Sequence, residues 1–163
     1  MDDQFMFDFG YGPVPAKRHK NPDGSVGGWV ADTARVFGNA SVFGNASVSG
    51  DARASGDARV CGNARVFGNA SAFGNASVSG NASVSGDASV SGRITTATRS
   101  DGYTFSLLLQ KNGIWHVTAG CRDFTIKQGR EHWNTTRGCT TLGSESIAIL
   151  DFFDAMVAIK EGQ

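Results

Sequence analysis

Between Val30 and Gly92 the chain places its apolar and polar residues on a six-residue period. The unit reads V-x-G-[ND]-A-x. Its first position runs Val30, Val36, Val42, Val48, Ala54, Val60, Val66, Ala72, Val78, Val84 and Val90, and its fifth is Ala from Ala34 to Ala88. Four residues, A-x-V-x, fit a short strand whose Ala and Val face inward while x faces solvent. Gly-Asn or Gly-Asp supplies the corner, because Gly tolerates positive φ and Asn or Asp bonds nearby backbone. A helix does not fit: period six holds no face of a 3.6-residue helix, and a Gly in each unit costs about 1 kcal/mol relative to Ala. A flexible Gly/Ser linker has no reason to keep Val and Ala in register. Stacked corners of this kind make a parallel β-solenoid. Residues 35–52 and 65–82 differ only at Val42/Ala72 and Asp51/Asn81, so the repeat carries an internal duplication of five units.

The period stops on both sides. Upstream, Phe5, Phe7 and Phe9 alternate as in a short strand that Pro13 and Pro15 end, and Lys17-Arg18-His19-Lys20 follows as a basic loop. Trp29, just before the first repeat Val, is placed to cover the open end of the solenoid core. Downstream, Tyr103, Phe105, Leu107 and Leu109 alternate, Lys111-Asn112-Gly113 turns, and Trp115, Val117 and Ala119 alternate on return. Thr125-x-x-Gln128 has the form of a capping box opening a short helix. Ser144 is expected to cap a longer helix over about 145–160, with Ile149, Phe153 and Met156 on one face. The expected organisation is an N-terminal capping segment (1–29), a solenoid (30–93) and a ββαα module (94–163).

V-F-G-N-A-S and V-S-G-D-A-R resemble the hexapeptide repeats of left-handed parallel β-helix proteins, over residues 30–93. With GGWVADTA (Gly27–Ala34) before the repeats, and AGCRDFT and EHW after them, the chain is similar to hexapeptide-repeat proteins of bacteria that are often phage- or prophage-encoded. The resemblance implies a mainly β fold with three sides and 18 residues per coil. The thin Ala/Val interior also admits a flattened two-sided roll of 12 residues per coil.

Composition narrows the function. The 163 residues hold 15 basic and 15 acidic side chains, so the bulk charge that drives non-specific nucleic-acid or membrane-surface binding is missing. Three cysteines without a CxxC pair indicate neither a disulfide framework nor a zinc knuckle. The acidic N-terminus lacks the basic segment of a signal peptide, and no apolar run reaches the ~18 residues of a spanning helix. These features predict a protein of a reducing cytoplasm, and the resemblance to phage- and prophage-encoded proteins implies that of a bacterial host. Many left-handed β-helix relatives are acyltransferases with a His base, and others bind zinc through several His, yet residues 30–93 contain no His, Glu or Lys. No catalytic residue, metal or cofactor is expected.

The candidate surfaces are therefore binding surfaces. Lys17, Arg18 and Lys20, and Arg122, Lys127, Arg130 and Arg137 around the first helix, form two basic patches suited to an acidic partner. On the solenoid, Phe37, Phe43, Phe67 and Phe73 face outward, and Arg53, Arg59 and Arg65 fall on successive sides of one three-sided coil with Arg35 one coil below Arg53. The leading expectation is a non-catalytic scaffold, homo-oligomeric, presenting its C-terminal module to a protein partner such as a bacterial defence component. The alternatives are a protein that sequesters a small nucleotide between subunits and an acyltransferase-like enzyme whose base comes from His116 or His132.

Overall fold

The computed structural model describes residues 5–92, 94–120 and 122–162. It divides into two compact units, Met1–Ile94 and Thr95–Gln163.

The first unit is a parallel β-solenoid with three sides. Its hexads form ten two-residue strands: β4 (Arg35–Val36), β5 (Ser41–Val42), β6 (Ser47–Val48), β7 (Arg53–Ala54), β8 (Arg59–Val60), β9 (Arg65–Val66), β10 (Ser71–Ala72), β11 (Ser77–Val78), β12 (Ser83–Val84) and β13 (Ser89–Val90). Each of β4 to β10 pairs in parallel with the strand 18 residues on, as in Arg35↔Arg53, Ser41↔Arg59 and Ser47↔Arg65. That register decides for the 18-residue coil over the 12-residue roll. From β4 to β10 the outward residue donates its N–H to an Ala carbonyl of the next coil, as Arg35 to Ala52, Arg53 to Ala70 and Ser71 to Ala88, at 2.8–2.9 Å. The interior is Ala and Val alone, and from Ala40 to Ala88 every one of them is buried. Side chains this small leave no room between the three walls, so the core is a stack of thin layers.

The corner glycines carry the geometry. Gly56 has φ +67°, and a Cβ there would lie 2.9 Å from the backbone N of Gly74 in the next coil. Neither the conformation nor the space suits a side chain. The corner polar groups stack in register too, with Asn39 donating to Asp57 at 3.0 Å and Asn63 to Asn81 at 3.2 Å.

Three strands precede the repeats: β1 (Phe5–Asp8), β2 (Pro13–Lys20) and β3 (Val26–Ala31). β3 starts the first side, and β2 pairs with it antiparallel, giving the order β1-β2-β3-β6-β9-β12. The prolines and the basic run thus lie inside a strand and not in a turn and loop. Pro13 and Pro15 are two residues apart, so their missing N–H groups lie along one side of the strand, and the ladder loses donors on that side only. Trp29 is a second correction. It is in register with outward-facing Ser47, so its ring lies on the outer face and Val30 takes the core position. There it stacks on Phe7 (centroids 4.6 Å) and meets the edge of Phe5. Arg65 donates to the carbonyl of Phe9, and Tyr11 Oη lies 2.6 Å from Ser49 Oγ. The Phe-rich segment therefore clothes the outside of one wall.

The second unit has four strands and two helices. β14 (Thr95–Thr98), β15 (Thr104–Leu109), β16 (Trp115–Ala119) and β17 (Arg122–Thr125) form an antiparallel meander. The alternating pattern marks only β15 and β16; the flanking strands are short and bury few apolar side chains, so periodicity misses them. α1 (Ile126–Arg137) opens on the expected capping box, with Thr125 and Gln128 bonding reciprocally. α2 (Thr141–Glu161) starts earlier than expected: Thr140 Oγ1 accepts from Gly143 N at 3.1 Å, which puts Ser144 inside the first turns. Phe105, Leu107, Val117 and Ala119 from the sheet pack with Ile126, Trp133, Leu150 and Phe153 from the helices. Arg99 is buried among the Tyr103, Phe105 and Trp133 rings, pairs with Asp101 at 2.6 Å and donates to Ser146 at 3.0 Å.

Candidate functional site

The first coil of a solenoid has no coil beneath it, so its three strands need separate closures. β3 is covered by β2. β5 is sealed by side chain and close approach: Val42 N–H donates to Asn21 Oδ1 at 2.8 Å, and His19 Nε2 lies 3.1 Å from the Ala40 carbonyl. Gly27 makes this seal possible, because a Cβ there would fall 2.0 Å from the Val42 carbonyl oxygen. β4 ends its sheet, with no strand of the described residues beside it at that end.

A cavity of about 490 Å³ opens at this unsealed edge, lined by Lys17, His19, Val30, Ala34, Arg35, Val36 and Phe37. Val30, Ala34 and Val36 are the core residues of the first coil, and they form an apolar floor. Val36 is only half-buried, whereas the repeat valines from Val42 to Val84 are wholly enclosed. Lys17 and Arg35 stand exposed at the rim with His19 half-buried between elements, and the Phe37 ring is 54% exposed. Among the described residues no carboxylate lines the cavity. Two fixed positive charges over an apolar floor favour an anionic group carrying an apolar neighbour.

The remaining sequence candidates separate. Arg18 lies over the Trp29 ring (5.3 Å), and Lys20 is exposed on the same strand. Arg53 and Arg59 are exposed on two walls, while Arg65 is drawn to Phe9 and lies over the Phe67 ring (5.4 Å) on the third. Phe37 and Phe73 share one wall two coils apart and are exposed; Phe43 and Phe67 are half-buried. Asp57 accepts from Asn39, and no ion pair is seen between it and Arg59. In the second unit, Arg130 clamps α1 to α2 through Asp154 and Asp151, which hold its pKa above the usual guanidinium value. Arg122, Lys127 and Arg137 remain exposed. His116 Nδ1 lies 2.7 Å from Asp123 Oδ1. His132 stacks on Phe124, and burial, with Arg122 nearby, holds its pKa below the usual imidazole value. No group of three or more His, Cys, Asp or Glu among the described residues could hold a metal, and no helix among them is long and apolar enough to cross a membrane.

Sequence reading found Lys17, Arg35 and Phe37 as separate features but not their meeting. The basic run includes His19 without giving it a partner, and Asn21 and the open floor were missed. The available signal is positional: Val30–Val36 begins the repeat, so its core residues have no lower neighbour, and a basic run ten residues upstream is close enough to fold back as a strand.

A family model described as YdcK Beta solenoid repeat matches residues 58–72. No curated protein and no solved structure matches the chain. The matched segment lies wholly within the stacked coils, so sequence comparison and geometry agree on a β-solenoid repeat protein.

Proposed function

We propose that the chain is a non-catalytic interaction protein whose solenoid is a rigid scaffold and whose first-coil mouth receives an acidic segment of a protein partner. The carrying observation is the juxtaposition of Lys17 and Arg35 above the Val30, Ala34 and Val36 floor. An extended segment with one or two carboxylates and an adjacent apolar side chain matches both parts of that site. The outward solenoid positions support the same reading, because Ser, Arg and Phe offer contact surface without a general base. The exposed Arg122, Lys127 and Arg137 give the second unit a basic surface for a further acidic contact. The resemblance to phage- and prophage-encoded hexapeptide-repeat proteins assigns the coil a left hand. It also points to a bacterial host component as partner and the host cytoplasm as the compartment.

The test is capture from bacterial lysate with the wild-type chain and with Lys17→Glu/Arg35→Glu as baits. A captured protein's acidic stretch is then synthesised and titrated against the purified chain. The reading expects binding that weakens as salt rises and falls at least ~10-fold in the charge-reversed variant. Turnover of an acyl-CoA by the purified chain, or a captured partner indifferent to both substitutions, would overturn it.

A further inference from the structure

The helix α2 is apolar nearly all the way round, yet only one side of it is used. Leu150 and Phe153 are wholly buried in the second unit's core, and Ile147, Ile149, Met156 and Val157 pack partly against it. The opposite side carries Ala148, Phe152, Ala155 and Ile159, all exposed, with Phe152 at 44% and Ile159 at 56%. Their spacing of four, three and four residues keeps them in one stripe, the spacing of a seam between two helices. The stripe spans about 16 Å, three turns of helix.

Along the stripe the side chains alternate small, large, small, large. From this alternation we infer that a second copy of the chain covers it, with the two α2 helices packed antiparallel about a two-fold axis between Phe152 and Ala155. In that arrangement Phe152 lies against the partner's Ala155, and Ala148 lies against the partner's Ile159. Every large side chain then meets a small one, so the two faces fill each other without gap or overlap. A parallel pair would set Phe152 on Phe152 and Ile159 on Ile159, with gaps at both alanines. A two-fold contact is also self-complementary by construction, so one sequence satisfies both sides.

The charges agree with it. Asp151 and Asp154 are held by Arg130 on the α1 side, away from the centre of the stripe. A two-fold pair sets each flank beside its own copy, and on the acidic flank Arg130 offsets the charge of Asp151 and Asp154, while Ile149 and Met156 lie on the other. Four side chains over three turns make a contact at the low end of specific interfaces, below about 1,200 Å² in total. The pair is therefore concentration-dependent, with a dissociation constant of roughly 1–100 µM. This inference does not rest on the mouth of the solenoid.

Sedimentation of the full chain from about 1 to about 300 µM reads the equilibrium directly. Phe152→Ala and Ala155→Phe are each expected to weaken the dimer at least ~10-fold, the first by a gap and the second by setting two Phe together. The double variant Phe152→Ala/Ala155→Phe restores the large-on-small pairing and returns the constant to within ~3-fold of wild type. Ala155 is exposed and Phe152 meets the buried Phe153 ring at 5.7 Å between centroids, so at low concentration circular dichroism stays unchanged in all three and the melting temperature moves little. A wild-type chain monomeric throughout the range would overturn the inference, as would a dimer indifferent to the single variants or a double variant no better than either. Tighter association in Ala155→Phe alone would indicate parallel pairing and overturn it equally.

Discussion

The solenoid and the second unit solve the same problem with opposite means. The solenoid has a core of Ala and Val only, and its order comes from backbone ladders and corners repeated every 18 residues. The second unit is built on large side chains in unique positions, with Phe105, Trp133, Leu150 and Phe153 around a buried Arg99. In the first, each layer is nearly interchangeable with the next, so specificity resides in register. In the second, no residue can stand in for another, so specificity resides in shape and in the pairing of the buried Arg99. The two should therefore fail under different substitutions.

The sharpest way to test that contrast is Arg99→Ala. It opens a space between three aromatic rings and removes the donor to Ser146. The expected cost is about 2–4 kcal/mol, from the space left among the rings and the lost hydrogen bond to Ser146. Calorimetry should show one transition lowered and the other, belonging to the Ala/Val coils, in place. A single transition that moves as a whole would show that the two units unfold as one.

The complementary break is in the corners. Gly80→Ala meets only the penalty of its φ of +66°, since nothing lies within 4 Å of the new Cβ, and it should cost about 1–2 kcal/mol. Gly56→Ala adds a Cβ 2.9 Å from backbone that cannot step aside, and should cost roughly 2–4 kcal/mol. Equal costs, read from chemical denaturation, would mean that coil stacking contributes nothing beyond backbone conformation.

How much of this was legible follows from the same contrast. A period of six fixes which residues point inward and where the corners fall, because translation repeats one environment. Val42 through Val84 could be assigned to the core, and Arg35 placed beneath Arg53, without coordinates. What the period cannot reach is whatever happens once. Trp29 precedes a repeat Val and so looked like a plug, but its register with Ser47 turns it outward onto Phe7. β14 and β17 are Thr-rich or charged, and become strands only through a neighbour to pair with. Arg99 gave no signal, since a buried Arg is defined by rings distant in sequence. The mouth is a hybrid: its floor follows from the repeat simply beginning, while Lys17 arrives through the antiparallel pairing of β2, a strand that holds two prolines.

Acid should separate the units as well. The Arg99 guanidinium beside Asp101 holds that carboxyl down to about 2. An acid whose folded pKa is depressed stabilises above its unfolded value, near 3.9, and that contribution is lost as pH falls toward 2. The second unit's transition should therefore drop between about pH 4 and pH 2. In Asp101→Asn it should start lower at neutral pH and lose less over that interval. An unchanged acid limb in the variant would remove Asp101 from the account.

The smallest effect expected is at His132. Its ring stacks on Phe124 and meets the edge of Trp133, and burial, then the nearby Arg122 charge, favours the neutral form. A histidine with a depressed folded pKa takes up its proton more readily when unfolded, so its contribution is whole above about pH 6.5 and declines below it. Between neutral pH and about pH 5 the second unit's transition should fall slightly, and His132→Phe should flatten that slope while keeping the ring contact. The solenoid transition should be indifferent to this substitution, because its order resides in coils that contain no histidine. A shift of both transitions together would locate the titrating group elsewhere and weaken the contrast between a core defined by register and one defined by shape.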